Sequence, residues 1–128
     1  MSLVPPHVVL LDSITEVHAR HAGLCVVTGS HGGVSAARYA AAVPARLYIF
    51  NDAGVGKDEA GIAALALLDA QGIAAATVAH DSARIGDAHD SWAEGVISAV
   101  NSTAASRLRL QPGRRLTVAL GTLAESTR

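Results

Sequence analysis

Short apolar runs alternate with polar, glycine-bearing loops along this chain. Residues 7–11, 24–28, 47–50 and 73–79 are short, mostly apolar runs without two-residue alternation, the pattern of strands buried on both faces of a parallel sheet. Helical signals lie between them. Ser13-Ile14-Thr15-Glu16 has capping-box spacing, with Gly23 placed to end a short helix. Residues 34–43 predict an alanine-rich helix terminated by Pro44. Residues 58–71 carry Ile62, Leu65, Ala66 and Leu68 or Ala70 at spacings of three and four, and Gly72 stands where a helix should end.

Asp87 is expected to cap a long helix with Trp92, Val96, Val100 and Ala104 on one face and Ile97 beside them. Residues 116–120 read as an edge strand or as a terminal helix capped by Thr117, and the helix is favoured. Four buried strands alternating with helices predict one α/β domain over residues 1–128. Its three layers would be a mainly parallel sheet of about four to five strands with helices on both faces, a Rossmann-like, doubly wound arrangement.

Composition sharpens this picture. Half of the 128 residues are hydrophobic and only 16% are charged, so the chain collapses onto a core and is not disordered. Ten Lys and Arg against eleven Asp and Glu leave a net charge of −1, which argues against a nucleic-acid partner. No apolar run reaches the ~18–20 residues of a membrane span. The N-terminal segment lacks the charged and apolar regions of a secretory signal, so a cytoplasmic location is expected. Cys25 is the only cysteine and sits in an apolar run, which marks it as a buried thiol. Asn101-Ser102-Thr103 matches a glycosylation sequon but reads as part of a helix. Aromatic residues are 3% of the chain, so apolar volume comes from small aliphatic side chains. Such a domain is expected to cover its remaining apolar surface in a homo-oligomer.

Candidate chemistry concentrates where strands feed helices, because ligands of open parallel sheets bind at the strands' carboxyl ends. The Gly29-Ser30-His31-Gly32-Gly33 segment suits an anion wrapped by loop and helix amides. It has neither the Gly-x-Gly-x-x-Gly dinucleotide spacing nor the Gly-x-Ser-x-Gly nucleophile elbow. The Asn51-Asp52-Ala53-Gly54-Val55-Gly56-Lys57-Asp58 segment resembles a phosphate-binding loop, but Asn51 and Asp58 break the Gly-x-x-x-x-Gly-Lys-[Ser/Thr] pattern, which argues against nucleotide hydrolysis. What survives is Gly54, Gly56 and Lys57 as holders of one carboxylate or phosphate, with Asn51 at the loop's start. The densest polar cluster is His80-Asp81-Ser82-Ala83-Arg84-Ile85-Gly86-Asp87.

From these loops the catalytic candidates are His31, His80, Asp52, Ser30 and Ser82. A carboxylate would orient a histidine that moves a proton, and a serine would act as nucleophile. The ligand-binding candidates are Gly29, Gly32, Gly33, Asn51, Gly54, Gly56, Lys57, Asp81 and Arg84, the arginine gripping a carboxylate through two parallel hydrogen bonds. Asp87 is assigned to helix capping, and His7, His18, His21 and His89 to structure. The sequence names no cofactor. Local pairs such as His-x-x-x-His are missing, and His31, His80, Asp52 and Asp81 form the one set that adjacent strand ends would gather around a metal. The expected function is an enzyme acting on a small anionic metabolite; the alternative is a non-catalytic module binding a metabolite or a partner chain.

Overall fold

The computed structural model describes residues 4–123. Four parallel strands, β1 (Val8–Leu11), β2 (Cys25–His31), β3 (Leu47–Asn51) and β4 (Ala75–Val78), lie side by side in chain order. A fifth strand, β5 (Ile97–Val100), closes the edge antiparallel to β4. All the residues of β3 and β4 are buried, the polar Asn51 and Thr77 included.

Alternate residues of the central strands feed two cores. Val26, Tyr48, Phe50 and Ala75 pack under α1 (Val34–Ala41) and α2 (Ala63–Asp69). Cys25, Val27, Ile49, Ala76 and Val78 pack against Trp92 of α3 (Ala88–Glu94), Leu108 of α4 (Ser102–Leu108) and Leu116 and Leu120 of α5 (Leu116–Gly121). The three expected layers are present. The doubly wound strand order is not: the strands run β1-β2-β3-β4-β5 without reversal. Successive right-handed crossovers that keep one direction place α1 and α2 on the same face. Among the described residues, α3, α4 and α5 cover the opposite face.

Three further expectations are corrected. The long helix from Asp87 is two short helices with β5 between them. A Cβ at Gly95 would collide with the Ser91 carbonyl and approach the Val78 side chain to 2.8 Å. The chain can press against β4 there and turn extended, so Val96 and Val100 leave the face they would share with Trp92 in a helix. The helix expected over residues 58–71 begins only at Ala63, because Asp58 and Glu59 are left-handed and the Ala64 amide donates to the Gly32 carbonyl at 2.8 Å. The Ser13 and Gly23 signals bracket two 3-10 turns, Ile14–Glu16 and Ala19–His21, rather than one helix. At the C-terminal end the favoured helix is found, starting from Arg115 rather than from Thr117.

Asn101 joins the late elements to the sheet. Its Oδ1 accepts from the amides of Ala75 (3.1 Å) and Ala104 (2.9 Å), and its Nδ2 donates to the carbonyls of Leu65 (3.1 Å) and Ile73 (2.9 Å). One buried amide therefore caps α4 and supplies partners to β4 and α2. Truncation would orphan several buried backbone groups, each costing about 1–3 kcal/mol. Asn101→Ala should lower unfolding free energy by about 2–4 kcal/mol in urea titration; a loss under 1 kcal/mol would show that water replaces these bonds.

Candidate functional site

Strand ends expose backbone groups that have lost their ladder partners, and at the end of β3 two side chains replace them. Asn51 is fully buried; its Nδ2 donates to the Ala83 carbonyl (3.0 Å) and its Oδ1 accepts from the Ala53 amide (2.8 Å). Asp52, also buried, accepts on Oδ1 from the amides of Gly54 (2.8 Å) and His80 (3.0 Å). The same oxygen lies 3.3 Å from His80 Nδ1. Both side chains thus tie the loop after β3 to the loop after β4.

Burial alone would raise the Asp52 carboxyl. Hydrogen bonding from the Ser98 hydroxyl and the Gly54 and His80 amides, with the His80 ring beside it, outweighs that and holds it below the usual carboxylate range. Asp52 is therefore ionised at neutral pH. The His80 side chain is 58% exposed, and its Nε2 has no hydrogen-bond partner among the described residues. Gly54 lies under the ring, its Cβ position 3.7 Å from the ring atoms, with φ of +76°. Ala53, Val55, Asp58 and Glu59 also have positive φ. A β-branched residue in that region is a genuine outlier, so Val55 marks a loop held in shape by its surroundings. Those surroundings are the Asp52 side chain and the Gly61 amide, which donates to the Val55 carbonyl at 2.7 Å.

The other candidates divide. His31 is exposed at the end of β2, in register with Asn51, with its ring folded over Gly33; among the described residues it contacts neither Asp52 nor His80 through a hydrogen bond or ion pair. Gly29, Ser30 and His31 belong to β2 rather than to a loop. The backbone amides of Gly29, Gly32 and Gly33 donate to Asp12, Asn51 and His31 carbonyls. A Cβ at Gly29 would strike the Gly86–Asp87 backbone, and one at Gly32 would lie 2.7 Å from the Gly61 carbonyl. Neighbouring backbone therefore lies close against Gly29 and Gly32, and the His31 ring against Gly33. Ser30 Oγ accepts from the Ile14 amide (2.9 Å). Ser82 Oγ donates to the Ala79 carbonyl (2.7 Å) and accepts from the Val96 amide (3.0 Å). Both hydroxyls hold the fold. Gly56, Lys57, Asp81 and Arg84 are exposed, and the Arg84 amide donates to Asp90. Asp87 caps α3 as expected, accepting from the Asp90 amide.

One grouping escaped the sequence. Asp12, Asp87 and His89 bring their ligand atoms within 4.8 Å of one another at the start of α3. Asp12 already accepts there from the Ala88 amide at 2.9 Å. Asp12 follows β1 directly, but only the docking of α3 against β1 and β2 brings it to Asp87. Compared with protein-family models, curated proteins and solved structures, the chain matches none.

The Asp52 environment has a pH signature. Its folded pKa lies below the unfolded value of ~3.9, so its stabilisation is complete above that value and is lost as pH falls through the folded pKa. Urea midpoints measured from pH 6 to pH 2 should fall less steeply for Asp52→Asn than for wild type. Parallel curves would show that Asp52 is no more stabilised in the folded chain than in the unfolded one.

Proposed function

We propose that the protein is a small α/β enzyme that moves a proton on a small anionic metabolite, a carboxylate or a phosphate, at the carboxyl ends of β3 and β4. His80 is the acid–base group and Asp52 its positioning residue. The observation that supports this is the buried Asp52 carboxylate 3.3 Å from His80 Nδ1, held by two backbone amides. An ionised carboxylate can only accept, so it favours the proton on Nδ1 and leaves the Nε2 lone pair for substrate. The same charge stabilises the imidazolium formed when Nε2 takes up a proton. Arg84, on the loop that begins at His80, and Lys57, on the loop that begins at Asp52, supply positive charge for the metabolite. Hydrolysis, isomerisation and elimination all contain such a proton transfer. Ser82 is left out as nucleophile because its hydroxyl both donates and accepts within the fold, and Ser30 because, among the described residues, it has no hydrogen bond to His80.

A second reading, a non-catalytic binding module, is favoured by the exposure of the His80 ring, since proton-transfer groups commonly work in clefts that exclude water. A panel of small carboxylic acids and phosphate esters, incubated with the protein in D2O and followed by proton NMR, separates the two. At least one compound should exchange deuterium or hydrolyse. His80→Ala should then reduce turnover by ~10²–10⁴-fold with affinity nearly unchanged, the span typical of a general acid or base. Compounds that bind without turnover would establish the module, and turnover unchanged in His80→Ala would remove His80 from the chemistry.

A further inference from the structure

The chain has nine arginines, and four of them, Arg46, Arg107, Arg109 and Arg114, line one cavity of about 330 Å³. It lies between α4, α5 and the segment leading into β3, so Arg46 enters it at the amino end of β3, away from His80 at the carboxyl end of β4. Leu108 and Leu110 form an apolar wall.

Guanidinium groups do not deprotonate in proteins, so crowding them cannot be relieved by neutralisation. Among the described residues the ion pairs are His80–Asp52 and Arg115–Glu94. Neither involves Arg107, Arg109 or Arg114. Arg107 is steadied by a hydrogen bond from Nη1 to the Gly72 carbonyl (3.1 Å). The ends of α4 and α5 also reach the cavity, but a helix C-terminus contributes at most about half a negative charge. Among the described residues, two of them leave most of the charge of Arg107, Arg109 and Arg114 uncompensated. Arg109 itself is left-handed, with φ of +59°, at the C-cap of α4, a position that glycine fills most easily. An arginine there strains the backbone while placing a guanidinium at the rim.

We propose that this cavity binds a small phosphate-bearing molecule carrying at least two negative charges, its phosphate oxygens taken by paired guanidinium N–H groups and its carbon skeleton resting on the leucine wall. Arginine suits this role because its planar fork matches phosphate geometry, and the volume is that of a small-molecule site. The reading is independent of the proton-transfer site, because none of its residues is shared.

Calorimetric titration at low salt with inorganic pyrophosphate, and with phenyl phosphate to probe the apolar wall, tests it. Wild type should bind both. Arg114→Ala and Arg109→Gly should each weaken binding at least tenfold, while Arg20→Ala, at an exposed arginine outside both sites, leaves it within twofold. Arg109→Gly removes the side chain and relieves the backbone, so its melting temperature should hold or rise as affinity falls; this separates lost binding from lost folding. No binding of pyrophosphate by folded wild type at millimolar concentration would overturn the proposal, as would unchanged affinity in both cavity variants. A short DNA duplex binding more tightly than either probe, with the same loss in the variants, would overturn the small-molecule assignment in favour of a nucleic-acid surface.

Discussion

The architecture depends on the need to satisfy backbone groups where a buried parallel sheet ends. The ladder stops at Asn51, yet the chain beyond it stays packed, and buried donors without partners cost about 1–3 kcal/mol each. Asn51 and Asp52 meet that need by bonding to both their own loop and the next one. Neither loop can then move without breaking bonds in the other. The left-handed run around Val55 persists for the same reason, and His80 is placed by the sheet through Asp52 rather than by its own loop.

A net charge near zero conceals a segregated molecule. One end of the sheet holds a buried carboxylate against an exposed imidazole, and four arginines gather toward the other. The sheet between them is mostly apolar, with β3 and β4 fully buried and no charged side chain among the buried residues of its strands. Among the described residues no helix is long and apolar enough to cross a membrane.

The strands were legible because burial on both faces leaves a mostly apolar run, and residues 47–50 could form little else. The late helices were not. Trp92, Val96, Val100 and Ala104 satisfy helical spacing, and the contrary signals are the glycine at position 95 and the capping asparagine at 101. Both take their meaning from contacts with β4 that spacing does not carry. Two of the three polar loops, after β3 and after β4, lie where the sequence puts them, whereas Gly29, Ser30 and His31 extend β2; the Asp52–His80 contact joins two residues singled out on sequence grounds. Glycine permits close approach without saying what approaches, and at Gly29 and Gly32 it is the Gly86–Asp87 backbone and the Gly61 carbonyl that stand close. The arginine cavity was invisible because Arg46 and Arg107 meet only after α4 folds across the sheet.

If the Asp52 carboxylate organises this end of the molecule, it also decides which nitrogen of His80 carries the proton. Nitrogen-15 NMR of the imidazole side chains reads that directly. In wild type the neutral His80 ring should be protonated on Nδ1, and Asp52→Asn should shift the population toward the Nε2-protonated form while the fold is retained. A wild-type His80 protonated on Nε2, unchanged by Asp52→Asn, would contradict the account.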